Sequence, residues 1–464
     1  MSLVLTPLYF ALMVFLWPKR ANVVALLGLG VQFGLTLYTA FWTPLPRRIT
    51  LGDWGAPLGI ELWLSPLSLL FCLLSSAVFL GVGLYANTAY KNNHKERSRF
   101  FVLAFFLSLG LTLLFVSDDV FNLYVALEIV GLSAIGLSAL RPTKEALRAS
   151  LTYLFATLVG SGAYLLGVAL LYGEYGVLSL DLLSKALVSS PTSNIAFGLM
   201  AAGLILKTAL FPLHFWLPKA HANATSPVSA LLSGLVIKGS FFLLYRLWFD
   251  GGLGNETLGH GLGILGGVGV LYASVLALLQ TKLKRIIAYS TVAQIGYLFL
   301  VFGLVKFDDS LVPRGGILLL ALAHGLAKAG MFLAAGALVY VHKKDDLATL
   351  QGVGSYAPLS VFSFGIAAVS IMGLPPSLGF FGKWLLLLSA FEHREMIVAG
   401  VFIAGGVLSA GYMFRPLSVF FAKPTHTLSL QRPPLWLELP ALGLSLGALA
   451  LGFFTSHILD YAHG

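Results

Sequence analysis

The amino-acid sequence predicts an all-α polytopic membrane protein of about fourteen transmembrane helices. Three observations carry that expectation. The chain is 58% hydrophobic and only 10% charged, where an ordinary soluble domain carries about 25% charged residues. Its apolar residues come in blocks of about 20, the length a helix needs to cross a bilayer. Its cations alternate from turn to turn. Eighteen of the 29 lysines and arginines fall in turns after odd-numbered blocks, including the runs Lys91 to Arg99, Arg141 to Arg148 and Lys282 to Arg285. Only Arg47, Arg48, Lys185, Arg246, Lys306, Arg314 and Arg394 fall after even-numbered ones. The positive-inside rule then places the odd turns in the cytoplasm and both termini on the non-cytoplasmic side of a bacterial or archaeal inner membrane. The net charge of +10 is explained by this topology, and no nucleic-acid partner is expected.

In chain order the expected spans are 2–17, 22–42, 64–85, 100–117, 120–140, 146–172, 194–216, 226–249, 258–279, 287–305, 315–342, 357–391, 396–414 and 436–456. Ser2 to Trp17 reads as a first span because no charged start and small-residue cleavage site frame it. The 50 glycines suit close helix packing in lipid, where small residues let backbones approach. Pro358 to Phe391 would make a helix of roughly 50 Å, longer than the hydrocarbon layer. Gly373-Leu374-Pro375-Pro376 marks its break, since a proline lacks an amide donor and pushes the residue before it out of the helical region. Span seven carries a similar interruption at Pro212. Broken helices in corresponding positions of two halves point to a transport site. They lie five spans apart, and a repeat of an odd number of spans inverts its second copy. Two inverted five-helix repeats are therefore expected at 100–250 (spans four to eight) and 251–422 (nine to thirteen), after spans one to three at 1–99 and before span fourteen at 423–464.

Five ionisable residues stand near the middle of apolar blocks: Glu128, Lys207, Lys238, Lys328 and Lys383. An ionisable side chain at that depth costs about 2.5–3.5 kcal/mol on insertion scales, so four lysines impose roughly 10–14 kcal/mol. Simple packing positions would not carry that cost, and the series proposes a charge relay in the membrane plane. Glu128 needs a cation, and Lys207 is its natural partner. Lys238 follows in span eight, His324 and Lys328 share a face one turn apart in span eleven, and Lys383 follows the second break. Lysine suits such a relay because burial shifts its proton affinity readily. His214, Lys219 and His221 surround the turn at the end of span seven and are candidates for proton access. The alternative for the histidines is to cap backbone carbonyls freed at the break.

Soluble-enzyme motifs are missing from the sequence: there is no Walker loop and no glycine-rich dinucleotide turn after a strand. Cys72 is the single cysteine, so thiol ligation of zinc or an iron–sulfur cluster lacks partners. No cofactor, metal or redox centre is expected.

Three stretches carry a family resemblance: Lys207 to His221 (KTALFPLHFWLPKAH) with Ser226 to Ala230 (SPVSA) and Lys238; Gln280 to Tyr297 (QTKLKRIIAYSTVAQIGY); and Gly373 to Lys383 (GLPPSLGFFGK). Together they resemble the signatures of antiporter-like subunits of respiratory complex I, Mrp-type sodium/proton antiporters and membrane-bound hydrogenases, over about residues 50 to 420. The resemblance implies fourteen spans, inverted five-helix repeats and broken helices seven and twelve. It implies proton movement through Glu128, Lys207, Lys238 and Lys383, with His324 and Lys328 at the span-eleven position. Two residues depart from it: Lys219 stands where relatives often carry an acid, and Ser65 where many have an aspartate. Lys383, in place of a glutamate, leans toward Mrp D-type, hydrogenase-type or quinone-side complex I relatives.

The expected function is a proton-translocating, antiporter-like subunit of a multisubunit membrane complex. Its partners would be other membrane subunits and lipid, and its cargo protons, with Na⁺ in an antiporter setting. A stand-alone cation/proton antiporter and a non-pumping scaffold for a soluble partner are the competing readings.

Overall fold

Lipid offers backbone amides and carbonyls no partner, so an apolar block stays in the bilayer by folding as a helix. The computed structural model describes residues 1–304, 311–423 and 432–463, and helices dominate them. The N-terminal region holds α1 (Ser2–Leu16), α2 (Ala21–Trp42) and α3 (Pro66–Ala89). Then follow α4 (His94–Val116), α5 (Val120–Ser138), α6 (Lys144–Tyr175), the short α7 (Leu180–Ala186), α8 (Pro191–Thr208), α9 (Leu217–Asn223), α10 (Ser226–Leu231) and α11 (Ile237–Phe249). Next are α12 (Glu256–Leu279), α13 (Leu283–Leu304), α14 (Leu311–His342), α15 (Pro358–Met372), α16 (Leu378–Glu392) and α17 (Met396–Phe421), with α18 (Leu435–Ala450) and α19 (Thr455–His463) last. Among the described residues eleven helices are long and apolar enough to cross a membrane, and Ser2–Leu16 and Pro358–Met372 are shorter apolar helices. The chain is a multi-pass membrane protein. Lys306, assigned above to a sparse turn, lies outside the described residues, as does the last residue of the 287–305 span.

The all-α expectation needs one correction. Arg47–Thr50 (β1) and Glu61–Leu64 (β2) form an antiparallel hairpin with Arg47 opposite Leu64 and Thr50 opposite Glu61. Alternation along β2 buries Leu62 and Leu64 while Glu61 and Trp63 stay partly exposed. Both strands are four residues long, too short to stand out beside blocks of 20.

Both proline-marked stretches are broken. The 357–391 stretch is two helices, α15 and α16, separated by Gly373 in a left-handed conformation (φ 80°) and the two prolines. A Cβ on Gly373 would also lie 2.7 Å from Lys383 Cδ, so glycine answers both demands. In span seven the helix stops earlier than Pro212: α8 ends at Thr208, Ala209 turns left-handed (φ 59°), and α9 resumes at Leu217. A third irregularity had no sequence signal. Between α10 and α11, Leu232–Val236 forms a π-turn, of the kind often found at functional sites.

Glycines bring helices into backbone contact. A Cβ at Gly203 of α8 would sit 2.2 Å from the Gly160 carbonyl oxygen of α6, and one at Gly296 of α13 would sit 2.5 Å from the Gly266 carbonyl oxygen of α12. Ser65 is the N-cap of α3 in a reciprocal capping box with Ser68, which uses its hydroxyl to satisfy an amide at the helix start.

Candidate functional site

The five mid-span ionisable residues do not scatter over the lipid-facing surface. Lys207, Lys238, Lys328 and Lys383 are all buried, with His324 among them. Only Glu128 keeps partial access, its side chain 21% exposed.

Glu128 of α5 and Lys207 of α8 form an ion pair with Oε1 to Nζ at 3.7 Å. That separation exceeds hydrogen-bond length, so the two interact through their field rather than through a shared proton. Lys207 sits in the last turn of α8, where a cation faces the negative end of the helix dipole. Beside it Trp216 Nε1 donates to the Leu206 carbonyl at 2.9 Å, and the indole stacks on Tyr153 at 4.2 Å between centroids. At this break the Leu206 carbonyl thus accepts from both Trp216 Nε1 and the Ala209 amide (3.2 Å).

From Lys207 the polar groups continue inward. A cavity of about 20 Å³ lined by Lys207, Thr157 and Ser240 opens next to it, large enough for about one water. Thr208 and Ser240 hydroxyls are hydrogen-bonded at 2.9 Å. Lys238 lies two residues before Ser240, just after the π-turn. Its ammonium donates to the Ser233 carbonyl at 2.7 Å and also contacts His324 Nδ1. One turn along α14, Lys328 contacts Ser290 Oγ and donates to the Ile287 carbonyl at 3.2 Å.

Helix α13 then bridges to the last lysine. Ser290, Gln294 and Tyr297 follow the i, i+4, i+7 spacing that lines one helical face. Gln294 Nε2 donates to the Ile371 carbonyl at 3.3 Å, and Lys383 Nζ donates to the same carbonyl at 2.8 Å and to that of Met372 at 3.3 Å. Lys383 also stands over the Tyr297 ring, 4.4 Å from its centroid, a cation–π contact. Lys383 thereby caps the end of α15 from across the break, as Lys207 serves the end of α8 from within it.

The access candidates separate. His221 is fully buried and stacks on Phe332 of α14 at 4.8 Å, and neither ring nitrogen has a hydrogen-bond partner among the described residues. His214 packs instead against Phe211, Tyr272 and Tyr289. Lys219 is exposed. The two histidines therefore face different neighbours, although the sequence places them together.

Sequence reasoning missed Ser290, Gln294 and Tyr297 as a group. Their signal was a polar stripe at helical spacing inside an apolar block, within the quoted stretch Gln280 to Tyr297. It also missed a buried ion pair away from the lysines. Arg246 donates to Asp118 Oδ1 at 2.8 Å and to the Ser117 carbonyl at 2.5 Å, and pairs with Asp250 at 3.0 Å. Arg48 of the hairpin meets Asp118 (3.6 Å), Glu61 (3.1 Å) and Asp181 (3.1 Å), tying β1, the α4–α5 turn and α7 together.

A bundle of apolar helices with two breaks and a buried line of lysines defines a membrane subunit of the antiporter-like class. Residues 117–409 match the family described as NADH:quinone oxidoreductase/Mrp antiporter, TM, and the chain belongs to that family. It is 34% identical over 442 residues to NADH-quinone oxidoreductase subunit N of Desulforudis audaxviator, covering 89% of this chain and 86% of that one. It is 30% identical over 450 residues to the D-type subunit of a Na(+)/H(+) antiporter of Alkalihalophilus pseudofirmus, covering 95% and 89%. Its fold matches a chain of the Mrp complex from Dietzia sp. DQ12-45-1b with a TM-score of 0.90 at 24% identity, covering 99% of this chain and 96% of that one.

Proposed function

We propose that this chain translocates protons as one subunit of a hetero-oligomeric membrane complex, through Glu128, Lys207, Lys238, His324, Lys328 and Lys383. The observation that carries the reading is the burial of the four lysines and His324, with separate polar contacts at Glu128–Lys207, Lys238–His324, Lys328–Ser290 and Lys383–Ile371. A positive charge arriving beside Lys207 weakens its hold on Glu128, and the next basic group becomes the better site for the proton. Electrostatics passes the signal along the membrane plane, and the side chains need to move little. His221 and His214 supply access from the basic side, with exposed Lys219 at the surface. The proton is the cargo, and an assembly driven by an ion gradient would exchange it for Na⁺.

The reading takes the fold as fourteen spans with both termini on the non-cytoplasmic side. Two inverted five-helix units, 100–250 and 251–422, follow three helices in 1–99 and precede one in 423–464. The matching lengths of α6 and α14, 32 residues each, support it. So does the shared form of the two breaks, each a left-handed residue after a helix end with a buried lysine nearby: Lys207 in the last turn of α8, and Lys383 bonded to the last carbonyls of α15.

Lys207→Ala, made in the complex, tests the function: coupled proton transport should be abolished while the subunits still co-purify. Wild-type transport in that variant would sink the relay. Identifying the proteins that co-purify in mild detergent tests the partnership, and recovery of the chain with no partner at all would overturn it.

A further inference from the structure

On the basic side of the bundle, away from the buried lysines, an apolar slot of about 690 Å³ opens between α1, α4 and α5. Its walls are Phe15, Val102, Leu103 and Leu140, and Gly136 leaves room at its floor. Phe15 is 69% exposed, so the slot opens sideways toward the acyl chains of the bilayer. At its mouth stand Lys95 and Arg99, one turn apart on the first turns of α4 and therefore on one face. A second cavity of about 480 Å³ shares Lys95, Arg99, Leu140 and Pro142 with the slot and adds Arg141.

The charges at this mouth are unequal in their commitments. Arg141 is held by Glu96 at 2.5 Å and lies over the Tyr90 ring. Glu96 is the one carboxylate lining either cavity, and Arg141 occupies it. Lys95 and Arg99 make no hydrogen bond or ion pair to any described residue. Two uncommitted cations thus sit above an apolar slot where the bilayer surface falls. Trp17 and Pro18 end α1 at the same level, and Trp17 is exposed, as suits an aromatic residue at the headgroup layer.

We propose that this cleft is a binding site for one anionic phospholipid, its phosphate held by Lys95 and Arg99 and one acyl chain laid along the slot. Opposite charge selects the headgroup and the walls select the chain; neither part alone accounts for a cationic mouth on an apolar groove. The site is separate from the proton path and holds α1 against α4 and α5, helices that end on the basic side with few polar ties between them.

Native mass spectrometry of the purified full chain tests this, by titrating phosphatidylglycerol and phosphatidylcholine of identical acyl chains. The expected result is preferential retention of phosphatidylglycerol. The double variant Lys95→Gln/Arg99→Gln should weaken it roughly 25-fold, about fivefold per cation near a membrane surface, and Lys423→Gln, an exposed base elsewhere, should leave it unchanged. Gly136→Leu keeps both cations and fills the slot, so it should weaken retention of the same lipid. Equal retention of the two lipids, an unaffected double variant, or displacement of the lipid by millimolar inorganic phosphate would overturn the proposal. So would a cross-link from position 15 to a partner subunit's helix in the intact complex, since a protein would then fill the slot.

Discussion

Arg246 is buried together with Asp118, each side chain 4% exposed, and Arg246→Ala is expected to be among the most damaging substitutions outside the lysine series. Alanine removes three interactions at once: the Asp118 contact at 2.8 Å, the Ser117 carbonyl at 2.5 Å and the Asp250 pair at 3.0 Å. Removing one member of a buried pair costs about 3–5 kcal/mol, because the remaining charge stays buried without its partner. Arg48 still reaches Asp118 at 3.6 Å, which puts the expected loss at the lower end, about 3 kcal/mol. That corresponds to roughly a 150-fold fall in the folded-to-unfolded ratio. Arg246→Lys keeps the charge without the planar fork and should lose less. Replacing both partners, Arg246→Met with Asp118→Leu, should cost clearly less than the sum of the single changes. Equilibrium unfolding in mixed micelles by titration with a denaturing detergent reads these values. A loss below about 1 kcal/mol for Arg246→Ala, in the range of an exposed pair, would refute the reasoning, as would strict additivity in the cycle.

Three further outcomes follow from packing and charge. Trp216→Phe keeps an aromatic ring beside Tyr153 and leaves the buried Leu206 carbonyl only the Ala209 amide at 3.2 Å; thermal unfolding should report a loss of about 0.5–1.5 kcal/mol, the net worth of one hydrogen bond. Gly203→Ala drives a methyl into the Gly160 backbone and should cost about 1–3 kcal/mol, whereas Gly198→Ala meets open space on the same helix and should be neutral or slightly stabilising. On pH, burial pushes the Asp118 carboxyl above the usual carboxylate range against the pull of Arg246 and Arg48, while the Lys185 hydrogen bond, with Arg48, holds Asp181 below it. The folded state grips the Asp118 proton more tightly than the unfolded state does. Its contribution is present below the unfolded value, near about 3.9, and is lost as pH rises through the folded value. The Asp181 contribution runs oppositely, present above about 3.9 and lost as pH falls through its folded value. Asp118→Asn should therefore remove the decline on the alkaline side of that point and Asp181→Asn the decline on the acid side, read from unfolding curves across the acid range.

Much of this architecture was legible in the sequence because lipid enforces simple rules. An ionisable residue such as Lys238 stands out from a block of 20 apolar neighbours, and its depth follows from its place in the block. Gly373 to Pro376 announces a break because proline forbids the alternative. The partners of each lysine were not legible. Contact between Lys238 and His324 joins residues 86 apart in sequence, and it depends on how α11 meets α14. The π-turn before Lys238 arises from the same packing, with no proline or glycine pair to mark it. The surroundings of the two histidines were hidden for a related reason: they are neighbours in the chain, but the break turns His214 toward α12 and α13 and His221 toward α14. Hairpin β1–β2 was hidden by its brevity, and the Arg246–Asp118 pair by the distance between its members, 128 residues.

Proton flux through the relay is tested most directly with Lys238→Met in the purified complex, reconstituted in sealed vesicles and followed with a pH-sensitive dye. Lys238 is fully buried between the Ser233 carbonyl and His324, and methionine nearly preserves its volume while removing the ammonium. Proton translocation is expected to fall to background while the complex assembles and Lys423→Gln pumps normally. Full translocation by an assembled Lys238→Met complex would contradict a relay through this lysine.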